Sequence, residues 1–290
     1  MSVSSRIAAA PISWGVCEVP NWGFQLAPET VLNQMRELGV LATEFGPEGF
    51  LPVDPAARAT VLAEHGMHAV GGFVPVIFHK ADHDPLPGIL AELAAHVSAG
   101  ASTIVYAAAS GDDGYDERPV LTDDEWQTLF SNLERARQAA VDAGIVPTLH
   151  PHVGTIIETG DDVRLVLERS SIGLCLDTGH LLIGGTDPQI LVDGYADRIT
   201  HTHLKDVRES LANRVRAGEI TYYDAVTQGM YCPLGTGDAN IGNIVRTLEA
   251  AGYSGWYTME QDTVLNDESE AAGALADVRS SMEFLLNLGV

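Results

Sequence analysis

The chain has 290 residues, 46% of them hydrophobic, which is enough for one large core or two small ones. Its 40 acidic and 16 basic residues give a formal charge of −24, which argues against nucleic-acid binding because that requires Lys and Arg to neutralise phosphates. No apolar run approaches the ~20 residues of a membrane span, and the N-terminus lacks the basic start of a signal peptide. We therefore expect no membrane partner and a cytoplasmic location.

Short apolar runs alternate with amphipathic helical stretches eight times along the chain. The predicted strands are 6–13, 41–46, 68–74, 102–108, 146–151, 172–177, 199–204 and 255–260. The predicted helices are 28–38, 55–65, 85–99, 123–143, 159–169, 187–196, 239–251 and 268–287.

Several of these helices have recognisable ends. Pro28 and Pro55 occupy first-turn positions, and Asp54 is a predicted N-cap. Thr122 and Glu125 have the spacing of a capping box. The glycines predicted to end helices before the next strand are Gly39, Gly66, Gly100, Gly144 and Gly252.

Eight βα units with near-continuous apolar strands predict a parallel sheet covered by helices, and eight strands close a TIM barrel. We therefore predict an α/β fold, a (β/α)8 TIM barrel, as one domain over residues 1–290. A doubly wound open sheet is the alternative, but no GxGxxG follows the first strand. The long connections 110–120, after the fourth strand, and 207–238, after the seventh, are predicted at the C-terminal face, where barrels place active sites. The second contains a predicted helix, Glu209–Arg216.

Polar side chains recur at the ends of four consecutive apolar strands, in TLHPH, CLDTGH, THTHLKD and YTMEQD. One such residue alone usually forms ordinary hydrogen bonds, but four in successive units at one barrel mouth favour a metal site. The predicted ligands are His150, Asp177, His203 and Glu260. Two imidazoles and two carboxylates suit Mn²⁺, Co²⁺, Fe²⁺ or Zn²⁺ and leave coordination positions for a substrate.

Other polar residues near these strand ends are candidates for substrate contact. Side chains alternate along a strand, so Lys205 shares the face of His203 and is placed to polarise a substrate carbonyl or hydroxyl; the alternative is a solvated lysine. His152 and His180 follow the ligands closely, and either contacts substrate or orients a ligand. Cys175 lies in the apolar run GLCLD, where we expect a buried structural thiol, and the absence of CxxC spacing argues against a zinc knuckle.

The first three strands contribute weaker candidates. Glu44 ends the second strand in an apolar context and is a candidate general base. Trp14 ends the first strand, either as an aromatic wall for a sugar ring or as plain packing. His79 follows the third strand and either reaches the pocket or faces solvent.

The motifs DTGH, HxHLKD, PLGxGD and MEQD together resemble the xylose-isomerase-like TIM-barrel superfamily of sugar isomerases and epimerases. APISWG, TEFGPEGF and HPHVGT resemble its inosose dehydratase branch, and the resemblance spans about residues 7–265. It implies metal ligands on strands five to eight, which match His150, Asp177, His203 and Glu260, and a substrate-contacting His180. The epimerases have a glutamate where this chain has His150, which favours one-sided proton abstraction followed by loss of water.

The resemblance implies metal-dependent dehydration of a keto-polyol such as 2-keto-myo-inositol, a hydro-lyase reaction of inositol catabolism. Glu260 or Glu44 would be the general base, and His180 or His152 the acid. One divalent ion is expected, Mn²⁺ or Co²⁺ first and Mg²⁺, Fe²⁺ or Zn²⁺ as alternatives. A sugar isomerase or epimerase acting by enediolate chemistry is the main alternative, and a non-catalytic sugar-binding barrel is a further one. In each case the partner is a small sugar or cyclitol, and a homo-oligomer stays open.

Overall fold

A computed structural model describes residues 2–112 and 114–290, in which helices surround one nine-stranded curled sheet. The strands are β1 (Ile7–Ala9), β2 (Ala42–Thr43), β3 (His68–Ala69), β4 (Phe73–Val76), β5 (Thr103–Ala108), β6 (Val146–His150), β7 (Gly173–Asp177), β8 (Ile199–Leu204), β9 (Asp206–Val207), β10 (Tyr231–Cys232) and β11 (Tyr257–Met259). The helices are α1 (Pro28–Leu38), α2 (Pro55–Glu64), α3 (Leu86–Ser98), α4 (Asp123–Asp142), α5 (Gly160–Arg169), α6 (Thr178–Ile183), α7 (Pro188–Tyr195), α8 (Glu209–Arg216), α9 (Tyr222–Thr227), α10 (Ile241–Ala250) and α11 (Ala271–Leu286). None of the helices in this part of the chain is both long and apolar enough to cross a membrane.

The sheet order is β3-β2-β1-β11-β8-β7-β6-β5-β4, and its neighbouring strands run parallel. β3 and β4 are two halves of the third barrel strand, so the ends of the sheet meet and eight strands close the barrel. Pairing continues across this break, because the Val70 N–H donates to the Thr43 carbonyl and the Val105 N–H donates to the Gly72 carbonyl. The predicted (β/α)8 barrel is confirmed.

The break in the third strand occurs where two backbones come very close. A Cβ atom on Gly71 would lie 1.9 Å from the carbonyl oxygen of Thr103, so no side chain fits there without moving the neighbouring strand. The strand predicted over 68–74 is therefore two short strands joined by residues 70–72.

The predicted helix ends agree with the structure, whereas the first predicted strand is too long. Thr122 and Glu125 form the reciprocal bonds of a capping box. The strand predicted over 6–13 ends at Ala9, and a 3₁₀ helix over Pro11–Trp14 follows it. Pro11 has no N–H for a strand ladder and fixes its own φ, which explains the early end. The five glycines predicted to end helices, Gly39, Gly66, Gly100, Gly144 and Gly252, all have positive φ.

The two long connections lie after β5 and β8, as predicted, and residue 113 of the first lies outside the described residues. After β8 the chain forms the antiparallel pair β9–β10 with α8 and α9 between its strands. Asp206 organises the return of this connection: its two carboxylate oxygens accept hydrogen bonds from the N–H groups of Val207, Gly235, Gly237 and Ala239. Asp206 of HxHLKD thereby holds the backbone of PLGxGD against the end of β8.

We expect Asp206→Asn to destabilise the protein by about 2–4 kcal/mol, because an amide keeps one acceptor oxygen and turns its NH₂ towards two N–H donors. Chemical denaturation measures the loss. Asp238→Asn is the control, since its carboxylate accepts one exposed bond, from the Glu209 N–H, that an amide can also accept. Equal stabilities of the two variants would contradict this role of Asp206.

Candidate metal centre

The barrel brings the four predicted ligands into a row at its C-terminal mouth. His150 and Asp177 end β6 and β7, His203 lies near the end of β8, and Glu260 follows β11 directly. His150 Nε2 lies 3.0 Å from Asp177 Oδ2. His203 Nδ1 lies 3.6 Å from the same Asp177 oxygen and 3.1 Å from Glu260 Oε2. The row follows the strand order, so each ligand candidate has its neighbour on the next strand.

Asp177 has a second contact that fixes its orientation. It is the N-cap of α6, and its Oδ1 accepts the N–H of His180, so Oδ2 points to the row. The register of β7 and β8 pairs Asp177 with His203, which places both side chains in one layer of the barrel. Asp177 therefore caps α6 with one oxygen and offers the other as a metal ligand.

The donor atoms fit a divalent ion. His203 Nδ1 is buried and accepts or donates no hydrogen bond within the described residues, although two carboxylates lie close to it. Donor separations of about 3.0–3.4 Å are expected around an ion with bonds of ~2.1 Å. Asp177, His203 and Glu260 form one buried group with metal-ligand spacing, and His150, Asp177 and His180 form another. His150 and Glu260 are thus linked through Asp177 and His203.

Charges around the row keep its carboxylates ionised. Burial acts to raise the pKa of Asp177, but His180, Lys205 and the hydrogen bond from His150 hold that pKa well below its usual range. Burial likewise acts to raise the pKa of Glu260, but His203 and Lys205 lower it. Both groups are therefore available as anionic ligands.

The two imidazoles of the row differ in protonation. Burial lowers the pKa of His150 despite its bond to Asp177, which leaves this ring neutral near pH 7. Burial would lower the pKa of His203 too, but Cys175, Glu260 and Glu44 outweigh it and raise that pKa well above its ordinary value. In the metal-free protein His203 carries a proton that an ion would have to displace.

Glu44 lies one layer deeper and orients His203. Its Oε1 accepts hydrogen bonds from His201 Nε2 at 2.8 Å and from His203 Nε2 at 2.9 Å. Carboxylates commonly hold the second nitrogen of a metal-binding histidine in this way. Burial acts to raise the pKa of Glu44, but His203 and His201 hold it well below its usual range. The contacts favour an orienting role for Glu44 over the predicted role of general base.

Cys175 is closer to the ligands than its apolar sequence context indicated. With His150 and His203 it forms a buried group that has metal-ligand spacing. Burial, however, raises the pKa of its thiol to about 11, so the thiolate that a metal requires is scarce near pH 7. The nitrogen and oxygen donors of the row are the better ligands.

Lys205 adds a cation beside the row. Its Nζ lies 2.6 Å from Asp262 Oδ1, 2.9 Å from Glu260 Oε2 and 3.8 Å from Asp177 Oδ2. Burial would lower the pKa of Lys205, but Asp262, Glu260 and Asp177 raise it well above its ordinary value. The ammonium can therefore donate hydrogen bonds to a substrate but cannot serve as a base near pH 7.

A cavity of about 770 Å³ opens above the row, and its wall includes His150, His203 and Glu260. Two predicted substrate contacts, His152 and Lys205, also line it. Burial lowers the pKa of His152 to about 3, and its Nδ1 bonds to the Val153 carbonyl oxygen, so the neutral ring presents Nε2 as an acceptor. This volume accommodates a small-molecule ligand.

Three predicted contacts lie elsewhere, because the cavity lining found in the described residues includes none of Trp14, His79 and His180. Trp14 is fully buried and donates a hydrogen bond to Gln34 on α1, because the 3₁₀ helix turns it away from the mouth. His79 is buried beyond β4. The His180 ring lies behind that of His152, with 3.7 Å between their centroids. Substrate contact by Trp14 and His79 is therefore corrected to packing.

Aromatic side chains from three loops cover one side of the mouth. Tyr115 lies over His152 with ring centroids 4.4 Å apart, and Tyr222 lies 6.3 Å from Trp22 and 6.0 Å from Tyr115. These residues follow the first, fourth and seventh barrel strands, and they belong to or pack on a hydrophobic cluster separate from the barrel core. We call Trp22, Tyr115 and Tyr222 the aromatic cover.

Asp262, Tyr115 and Tyr222 are site residues that the sequence analysis did not assign. A signal existed for Asp262, because it lies two residues beyond Glu260 in MEQD and so falls on the same face of an extended chain. No comparable signal marked the two tyrosines, which reach the mouth through long connections.

The family model described as xylose isomerase-like TIM barrel matches residues 88–288. An inosose dehydratase of Geobacillus kaustophilus (strain HTA426) is 32% identical over 272 residues, covering 89% of this chain and 87% of that protein. The rhizopine catabolism protein MocC of Rhizobium meliloti is 32% identical over 269 residues, covering 90% and 82%. The crystal structure of IolI protein with a binding zinc atom has a TM-score of 0.71 and 12% identity, and the match covers 97% of this chain and 98% of that chain.

Proposed function

The chain belongs to the xylose isomerase-like TIM barrel family, and from this membership we propose that it is a metal-dependent hydro-lyase that removes water from a keto-inositol such as 2-keto-myo-inositol. The curated relatives named inosose dehydratase support this activity over almost the whole chain. The proposed ion is Mn²⁺ or Co²⁺, held by His150, Asp177, His203 and Glu260.

The observation that carries the proposal is His150 at the end of β6. A two-faced epimerisation needs an acid and a base on opposite sides of the substrate carbon. His150 is bonded to Asp177, and burial lowers its pKa, so it supplies neither a carboxylate nor a ready acid on that side. Two acid–base groups of the cavity wall, Glu260 and Lys205, lie 2.9 Å apart at the other end of the row.

A bound divalent ion would supply positive charge that stabilises the enediolate formed when the α-proton leaves. Glu260 is the proposed base, because it lines the cavity and the contacts of His203 and Lys205 are both to its Oε2, which leaves Oε1 for that proton. The electrons of the C–H bond become the new double bond, and the β-carbon–oxygen bond breaks with its pair on oxygen. Lys205 donates the proton that turns the departing hydroxyl into water.

The enzyme is then restored internally. Protonated Glu260 can return its proton to Lys205 across 2.9 Å, so one proton and one hydroxide have left the substrate and the protein is unchanged. General acid–base help of this kind contributes roughly 10²–10⁴-fold in rate. The acceptor Nε2 of His152 is proposed to hold a substrate hydroxyl, since its Nδ1 is already bonded to Val153.

The experiment is a comparison of 2-keto-myo-inositol with a free ketohexose, using metal-free protein and protein loaded with Mn²⁺, Co²⁺, Mg²⁺ or Zn²⁺. We expect metal-dependent conversion of the keto-inositol, with loss of one water in the product mass and new dione absorbance. Epimerisation or isomerisation of the ketohexose, with the keto-inositol left untouched, would instead assign the site to the isomerase alternative.

Metal affinity should rise with pH through the neutral range. The raised pKa of His203 keeps its ring protonated near pH 7, and an ion must displace that proton, so binding releases about one proton. Below the pKa of His203 the apparent affinity should then increase about tenfold per pH unit. Calorimetric titration in two buffers with different ionisation enthalpies measures the proton release. A release of zero with an affinity that is flat in pH would contradict the protonated state of His203.

A further inference from the structure

A chain of hydrogen-bonded, buried polar side chains runs from the aromatic cover to the mouth of the barrel. Tyr231 Oη lies 2.8 Å from Tyr222 Oη, and the Tyr222 hydroxyl donates to Asp262 Oδ2 at 2.6 Å. Asp262 Oδ1 accepts a hydrogen bond from Lys205 Nζ, also at 2.6 Å. All four residues are buried, so these bonds form away from bulk water.

Both carboxylate oxygens of Asp262 accept hydrogen bonds. One oxygen is bonded to Lys205 and the other to Tyr222, and the carboxylate belongs to none of the ligand groups with metal spacing in the described residues. Each of its oxygens therefore already accepts a hydrogen bond from a buried group of the protein. Its contacts suit it to fixing the position of the Lys205 ammonium.

Lys205 is also packed from the sides. A Cβ atom on Gly179 would lie 2.6 Å from Lys205 Cβ and 3.0 Å from Tyr231 Cε1, so the glycine of DTGH gives the lysine and the tyrosine ring room to approach. Lys205 Nζ lies 5.5 Å from the centre of the Tyr231 ring, within the range of a cation–π contact. The ammonium position thus depends on β10 as well as on Asp262.

Both tyrosines come from the long connection after β8. Tyr222 begins α9, and Tyr231 lies in β10. The backbone N–H of Tyr222 donates to Asp116 Oδ1 in the connection after β5, so two long loops meet at this residue. The hydroxyl of Tyr222 then reaches down to Asp262 and joins the loops to the mouth.

We propose that Tyr222, Tyr231 and Asp262 are positioning residues that hold the Lys205 ammonium beside the row, so that residues 222–231 form part of the active site. The catalytic consequence rests on the proposed function, in which Lys205 protonates the departing hydroxyl. The positioning itself does not, because it concerns contacts within the metal-free protein.

The sequence provides a direct readout, since its two lysines are Lys80, which is exposed, and Lys205, which is buried. Metal-free protein is acetylated with an N-hydroxysuccinimide ester, and peptide mass spectrometry gives the Lys205/Lys80 labelling ratio. We expect Tyr222→Phe to raise this ratio about tenfold, since one hydrogen bond to a charged group is lost. Tyr231→Phe, one bond further from Lys205, should raise it less. Tyr223→Phe is the matched control, because Tyr223 is the exposed neighbour and packs on Trp22.

The same variants are then assayed with metal and keto-inositol. Tyr222→Phe should lower kcat about tenfold and change KM by less than about threefold, because the tyrosine acts through Lys205 on the chemical step. Tyr223→Phe should match the unmodified protein. Labelling ratios and kcat values of Tyr222→Phe equal to those of Tyr223→Phe would overturn the proposal. Should the unmodified protein not dehydrate keto-inositol, the proposed function fails, and the labelling ratio alone decides the positioning chain.

Discussion

Replacing Asp177 with Asn is expected to remove the bound metal and to lower turnover of keto-inositol by roughly three to five orders of magnitude. Asp177 lies at the centre of the row, 3.0 Å from His150 and 3.6 Å from His203. Its carboxylate is buried away from bulk water. The charge stabilisation that a catalytic ion supplies is worth several kcal/mol, and each 1.36 kcal/mol is about tenfold in rate. Metal analysis after dialysis and steady-state kinetics measure the two losses.

The control for this variant is Asp187→Asn. Asp187 caps α7 through the Gln189 N–H as Asp177 caps α6 through the His180 N–H, and an Asn side chain can accept either bond. The capping function is therefore matched, while the ligand function is absent from Asp187. An Asp177→Asn protein that retains one full equivalent of metal would contradict the ligand assignment.

Lys205→Met is expected to separate metal binding from catalysis. Loss of the ammonium should lower kcat by about 10²–10³-fold, the usual effect of removing a donor aimed at developing charge. Metal affinity should increase, because a positive charge 2.9 Å from Glu260 and 3.8 Å from Asp177 is gone. Kinetics with saturating metal and a competition titration of the ion measure the two effects.

Lys80→Met is the control, since Lys80 is exposed and is the other lysine of the sequence. The Lys205 variant also leaves Asp262 buried without its cation, so its stability should fall by a few kcal/mol, and the assays are made well below its unfolding temperature. Unchanged kcat in Lys205→Met would remove the lysine from the mechanism.

The features that were predictable from the sequence follow local rules. The hydrophobic periodicity of strands and helices predicted eight βα units. Capping motifs such as the Thr122–Glu125 box predicted where helices begin to within a residue or two. The row was predictable because parallel strands end at one barrel mouth and side chains alternate with period two. His150, Asp177 and His203 needed nothing beyond those two rules.

The missed features depend on contacts between distant parts of the chain. Nothing near Tyr222 indicates that its hydroxyl bonds to Asp262, 40 residues later. The orienting role of Glu44 likewise depends on its contacts with His201 and His203, which lie 157 and 159 residues later in the chain. Trp14 was misplaced for a local reason, since a strand was expected where Pro11 begins a 3₁₀ helix and turns the ring into the core.

The central claim is that one divalent ion binds among His150, Asp177, His203 and Glu260. Anomalous diffraction from a crystal of the protein soaked in Mn²⁺ tests it most directly. We expect one strong peak within about 2.0–2.3 Å of Asp177 Oδ2 and His203 Nδ1. A peak in the deeper layer of Glu44, His201 and His203, whose spacing would also admit an ion, would contradict it.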